Sequence, residues 1–143
     1  MLGGYAVDNS LRSKVTAALK SVFPGSDHDI SLDGNGIVTL RFDDGAGLTL
    51  EAPEFGEAFH IYTPVVHVSV NDRMAICSRA LSLNLFSIAV SGAWLALDPE
   101  DDRFLLCLTL DLANCSSERL AGIFEDLLEE AGRLRRRLFA DKP

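Results

Sequence analysis

Between Ile30 and Val70 the apolar residues stop recurring every three or four positions and begin to alternate. Val38, Leu40 and Phe42 interleave with Ile37, Thr39 and Arg41, and Leu48 and Leu50 interleave with Thr49 and Glu51. A period of two belongs to strands with two unlike faces. Asp33-Gly34-Asn35-Gly36 and Asp43-Asp44-Gly45-Ala46-Gly47 punctuate the region. Gly and Asn accept the positive φ of tight turns, so both segments read as turns between strands, and strands joined so closely run antiparallel. A third strand is predicted around residues 59–68, where Pro64 cannot donate to a ladder and favours an edge or a bulge. Any fold of this chain must therefore cover the apolar face of an antiparallel sheet.

The covering material lies on both sides of this region. Asp8, Asn9 and Ser10 offer N-caps to a first helix, in which Leu11, Val15, Leu19 and Val22 recur at helical spacing until Phe23-Pro24-Gly25 ends it. Arg12, Lys14 and Lys20 occupy its other face. Asn71 and Asp72 cap a second helix predicted over 72–90, with Gly92 as its stop signal. Met74, Cys77, Leu81, Leu85 and Ile88 form one stripe of it, and Ile76, Leu83, Phe86 and Val90 cover much of the rest. A helix apolar nearly all round is buried on more than one side, and in a small domain another subunit most easily supplies the second side.

Trp94-Leu95-Ala96-Leu97, the charged turn Asp98 to Asp102 and the run Phe104 to Leu112 then read as a second hairpin. Asn114 and Ser116 cap a last helix with apolar positions Leu120, Ile123, Phe124, Leu127, Leu128, Ala131, Leu134 and Leu138. Its acids precede Arg133, Arg135, Arg136 and Arg137, which complements the helix dipole. The order is α-β-β-β-α-β-β-α: an α+β fold with an antiparallel sheet and three helices, read as one domain over 1–143.

Composition narrows the partners. The chain has 143 residues, 48% of them hydrophobic, enough for a real core, and a net charge of -8. The last eleven residues carry five bases against Asp141, so residues 1–132 hold -12. Such a surface repels phosphate backbones and anionic membranes, which excludes nucleic acid and membrane as partners. Cys77, Cys107 and Cys115 are an odd number without CxxC spacing, which fits a reducing compartment. The first residues, MLGGYAVDNSLRSK, lack a basic region followed by an apolar core, and no apolar run reaches about 18 residues, so the protein is expected to stay in the cytosol.

No catalytic, metal or cofactor pattern emerges. His60 and His67 lie on predicted strand with Glu57 nearby, but a metal would need further ligands from elsewhere. His28 sits between Asp27 and Asp29 in a polar loop. Cys77 and Cys107 read as small core residues, while Cys115 precedes a helix whose N-terminus could lower its pKa. The Gly-rich segments match neither phosphate-loop pattern, and Asp98 to Asp102 lacks calcium-loop spacing. The arginine run reads as a solvated helix end, with contact to an acidic partner as the alternative.

Ser91-Gly92-Ala93-Trp94-Leu95-Ala96-Leu97-Asp98-Pro99 and Phe104-Leu105-Leu106-Cys107-Leu108, set in this order of elements, resemble the class I type III secretion chaperones, the family of the intimin-receptor chaperone. The resemblance implies a homodimer without cofactors in the bacterial cytoplasm. It also implies binding to the N-terminal chaperone-binding segment of a type III effector, with the secretion-apparatus ATPase as a further partner and no enzymatic activity. It places client contacts on the first helix and neighbouring strands, where Leu11, Val15, Ile37 and Phe55 are the candidates. The doubly apolar helix and the strand after it make Ile76, Leu83, Leu85, Phe86, Val90 and Trp94 the candidate dimer interface. Which strand face is buried is not fixed by alternation; the more apolar set, Val38, Leu40, Phe42, Leu48 and Leu50, is assigned to the core. Two other readings stand beside this one: a regulator that sequesters a secretion or transcription factor through the same fold, and a small enzyme or ligand-binding domain using Cys115 or His60 and His67.

Overall fold

A computed structural model describes residues 10–25, 30–114 and 116–139. The elements are α1 (Leu11–Val22), β1 (Ile37–Arg41), β2 (Gly47–Glu51), β3 (Ala58–His67), α2 (Arg73–Asn84), β4 (Trp94–Asp98), β5 (Arg103–Asp111), a short 3-10 turn (Leu112–Asn114) and α3 (Ser117–Phe139). The five strands form one antiparallel sheet in the order β1-β2-β3-β5-β4. The predicted order of helices and strands is the observed one.

The more apolar strand face is the buried one. Leu40, Leu48, Leu50, Phe59, Ile61, Phe104, Leu106 and Leu108 meet Leu11, Val15 and Leu19 of α1, Ile76, Ala80 and Leu83 of α2, and Leu120, Phe124, Leu127, Leu134 and Leu138 of α3 in one core. Each helix contributes residues three to four apart, the stripe that a period of 3.6 turns inward. α3 lies across β3, α1 packs on α3, and α2 packs on β4 and α3. Phe23, just past α1, stacks on Phe124 with ring centroids 6.2 Å apart. On the other sheet face, cross-strand partners line up as a row of Thr39, Thr49, Tyr62, Cys107 and Trp94 spanning all five strands.

Several expectations change. Asp33 to Gly36 is a turn, but it leads into β1 and follows no strand among the described residues. Pro64 does produce a register shift, between Pro64 and Val66, yet β3 is the central strand and not an edge. Ser10 caps α1 by accepting the Ser13 amide at 3.1 Å; Asp8 and Asn9 lie outside the described residues. Asp72 occupies the N-cap of α2 without a side-chain capping bond, because its carboxylate accepts from the Ser69 hydroxyl instead. α2 ends at Asn84, six residues before the predicted end. Phe86 adopts a left-handed φ of 67°, and the Ser87 amide returns to the Leu83 carbonyl at 3.1 Å, which closes the last turn as a glycine usually would. Gly92, with φ 83°, serves a second turn farther on.

Candidate interaction surfaces

Strand parity makes the outer edge of β1 the first site. The Ile37 amide donates to Asp33 Oδ1 and the Ile37 carbonyl accepts the Asp33 amide, both away from β2. Residues two apart share orientation, so Thr39 and Arg41 also aim their N–H and C=O groups outward from the sheet. Beside this edge the end of α1 and β1 enclose a groove of about 690 Å³ lined by Val22, Phe23, Ile30, Val38 and Phe42. An open strand edge beside apolar pockets is the arrangement that accepts an extended peptide.

The opposite edge is closed at one point. Asn84, the last residue of α2, accepts the Leu95 amide at 2.7 Å and donates to the Leu95 carbonyl at 3.1 Å. One side chain thus takes both outward-facing groups of Leu95 in β4.

The second surface is apolar. Met74, Leu81 and Leu85 recur along the outer face of α2 and are exposed, as are Trp94 and Phe86, the last at 96%. The sequence stripe is real, but the core takes the other face, Ile76, Ala80 and Leu83. Of the interface candidates, Leu85, Phe86 and Trp94 are exposed, Val90 is half-buried, and Ile76 and Leu83 are packed inside the chain's own core. The client candidates divide likewise. Leu11 and Val15 are core residues of α1, Ile37 is half-buried on the open sheet face, and Phe55 is 81% exposed in the β2–β3 connection.

An ion pair between buried Glu130 and half-buried Arg133 was not read from the sequence. Glu130 of α3 is 4% exposed and accepts from the Ala89 amide and from Arg133, whose Nη2 also donates to the Ser87 carbonyl at 2.7 Å. The Arg133 guanidinium holds the Glu130 carboxyl below its ordinary range against the opposing effect of desolvation. Together the two residues tie the segment after α2, which carries Phe86, to α3. Arg133 is therefore not part of a merely solvated helix end. The signal was present: Glu130 falls between Leu127 and Leu134 on the apolar stripe of α3.

The groups that could carry chemistry stay apart. His60 Nδ1 pairs with the Thr109 hydroxyl at 2.9 Å, and His67 Nδ1 lies 3.3 Å from the Asp101 carbonyl. Among the described residues no three His, Cys, Asp or Glu side chains are grouped to hold a metal ion. Burial pushes the Cys107 thiol up to about 11, the reverse of an activated nucleophile. Cys77 is free and half-buried on α2. Cys115 and His28 lie outside the described residues. In the turn Asp98 to Asp102, Arg103 pairs with Asp98 at 3.1 Å and Asp101 at 3.6 Å, and Arg73 pairs with Asp102, so three of the turn's four acids serve as ion-pair partners. No described helix is long and apolar enough to cross a membrane.

Comparison with known proteins agrees with this geometry. No curated protein sequence matches the chain. Among solved structures, a chain of the ExsC–ExsE complex superposes with a TM-score of 0.70 at 23% identity, over 92% of this chain and 98% of that one. A chain from the complex of the Yersinia pestis type III secretion chaperone SycH with a stable fragment of YscM2 gives 0.61 at 22% identity, over 87% and 98%. A chain from the heterodimeric ExoU–SpcU complex of the Pseudomonas aeruginosa type III secretion system gives 0.64 at 15% identity, over 89% and 99%. The family model of the Tir chaperone proteins, CesT, matches residues 23–135. The chain belongs to the CesT family of Tir chaperone proteins.

Proposed function

We propose that this protein is a homodimeric chaperone of the bacterial cytoplasm that binds an N-terminal segment of a type III secretion effector and keeps it ready for export, without catalysis. The observation that carries the reading is the outward edge of β1 beside the apolar groove of Val22, Phe23, Ile30, Val38 and Phe42. An effector segment laid there as an added strand would gain main-chain hydrogen bonds from Thr39 and Arg41 and seat alternate apolar side chains in the groove. Exposed Phe55 and half-buried Ile37 are the client candidates left within reach of a partner; Leu11 and Val15 are buried in the core. Membership of a chaperone family supports a binding role.

The client test begins with co-purification from the native bacterium and identification of the captured protein by mass spectrometry. Thr39→Pro removes one outward N–H while leaving the ladder to β2 intact, which an edge position tolerates. It and Phe55→Asp are each expected to weaken capture of that client at least about tenfold in calorimetric titration, with melting temperature unchanged. Unchanged affinity in both would place the client elsewhere.

Dimerisation is assigned to Met74, Leu81, Leu85, Phe86 and Trp94, large apolar side chains that α2, the segment after it and β4 leave exposed, as protein contacts do. Phe86→Glu alters a side chain with almost no contacts in the monomer. Light scattering is expected to report a dimer for the native chain and a folded monomer for the variant, since an unpaired buried charge costs several kcal/mol. A monomeric native chain would refute the assignment.

A further inference from the structure

Pro64 does more than shift the register of β3. The β2–β3 ladder pairs Thr49, Leu50 and Glu51 with Tyr62, Ile61 and His60 and stops there. Continuing it would set Gly47 opposite Pro64, which has no N–H to give. The Gly47 carbonyl is taken by the Thr63 hydroxyl at 2.6 Å instead. Beyond this point β3 runs on to His67 paired only with β5, so the β1–β2 hairpin and β3 part. Between them opens a cleft of about 790 Å³ whose base is formed by Leu128, Ala131 and Gly132 of α3.

The cleft's charge is opposite to that of the protein. Arg41 of β1, Arg103 of β5 and Arg135 of α3 line it together with His67, and Asp44 is the one acid among its described lining residues. Arg103 is committed to Asp98 and Asp101. Arg41 and Arg135 have no ion pair among the described residues, so two guanidinium groups from separate elements face one space without a carboxylate on either. In a chain of net charge -8 these cations do not serve general solubility.

We propose that this cleft is a second docking slot, for an extended acidic peptide segment of a protein partner. Its two attributes select that occupant jointly. The flank of β3 after Pro64 offers backbone to an extended chain, and the paired guanidinium groups select carboxylates, for which the Arg fork is the matching donor. A long polyanion such as nucleic acid would meet the surrounding negative surface, whereas a short segment with spaced acids meets only the cleft. That the segment belongs to the exported client rests on the chaperone reading above; the chemistry of the slot does not.

The test uses the full chain and a short rhodamine-labelled peptide alternating Glu and Val, with an otherwise identical Gln and Val peptide, followed by fluorescence anisotropy at low and high salt. The native protein is expected to bind the Glu peptide at least about tenfold more tightly, with the advantage falling as salt screens the exposed pairs. Arg41→Gln with Arg135→Gln should remove the preference without changing the melting temperature. Gly132→Leu fills the base without altering charge and should weaken both peptides; Gly132 has only the Arg136 guanidinium at 3.7 Å from an added Cβ, so the helix accommodates the change. Equal binding of the two peptides, an unaffected double variant, or displacement of the Glu peptide by oligothymidylate more readily than by free Glu peptide would overturn the proposal. Client capture without peptide preference would sink the slot and leave the chaperone reading standing; peptide preference without client capture would do the reverse.

Discussion

Gly36→Ala is expected to destabilise the protein by about 4 kcal/mol, enough to leave much of it unfolded, while Gly34→Ala two residues away should stay within about 0.5 kcal/mol of the native chain. Gly36 has φ 80°, a region that costs a residue with a Cβ about 1–3 kcal/mol by itself. An added Cβ would lie 2.2 Å from the Ala52 carbonyl oxygen and 2.6 Å from Arg12 Nε. Neither contact relaxes cheaply. The Ala52 amide donates to the Gly36 carbonyl at 2.8 Å, so the two backbones are tied together. Arg12 reaches from α1 to the same place, donating to the Ala52 carbonyl at 3.0 Å and the Asn35 carbonyl at 3.2 Å. Moving Ala52 or Arg12 aside would break the junction that ties the start of α1 to the start of β1 and the end of β2. Gly34 shares the turn, has no positive φ and has nothing within 4 Å of an added Cβ, which makes it the control. Urea unfolding of both variants decides the matter; equal midpoints would show that the junction yields.

Glu130→Ala should cost about 3 kcal/mol, since it leaves the Ala89 amide without its acceptor and Arg133 without its counter-ion at a largely buried position. For a chain of this size that corresponds to a fall in Tm of roughly 6–12 °C. Glu130→Gln retains an acceptor for Ala89 and should lose less. The pH dependence separates charge from packing. A carboxyl held below its ordinary value adds stability that is fully present above the unfolded pKa of about 4.3 and is lost as pH falls through the folded value. The native chain's advantage over Glu130→Gln is therefore expected at neutral pH and should shrink as pH drops below about 4. A constant difference across that range would mean that the pair acts through shape alone. Because Glu130 and Arg133 also hold the segment bearing Phe86, Glu130→Ala should in addition weaken self-association beyond its effect on Tm.

Local chemistry carried the element order, and long-range geometry carried what was missed. The alternation at 37–42 and 48–50 showed two unlike faces without saying which is buried; the assignment to the core rested on the apolar character of Val38, Leu40, Phe42, Leu48 and Leu50, the set that meets the three helices. The helical stripe at Leu11, Val15 and Leu19 was equally readable, though it led to the core and not to a client surface. The predicted α2 extends six residues beyond the observed end because Leu85, Phe86, Ile88 and Val90 continue the apolar pattern; the real end depends on Asn84 turning to Leu95 and on Phe86 entering the left-handed region, which a phenylalanine does not advertise. Ile76 and Leu83 fall in the core and not in an interface, because a helix apolar on all sides does not declare which face the core will claim. The open edge of β1 and the cleft beyond Pro64 depend on strand order, and the β3–β5 neighbourhood is set by pairs from Ala58 with Asp111 to His67 with Arg103, far apart in the chain.

The bond pair from Asn84 to Leu95 also bears on how molecules of this kind can associate edge to edge. Growth of a fibril by strand addition needs every molecule to offer two usable flanks, one that receives and one that presents. Here one flank is occupied at Leu95 by a side chain of the molecule itself, so a copy that docks on β1 finds its own far side stopped, and a chain of such additions ends after the first step. A protein that keeps one sheet edge available for extended peptides can therefore remain dispersed at high concentration, and loss of the Asn84 amide should appear as slow fibrillar aggregation before any loss of fold.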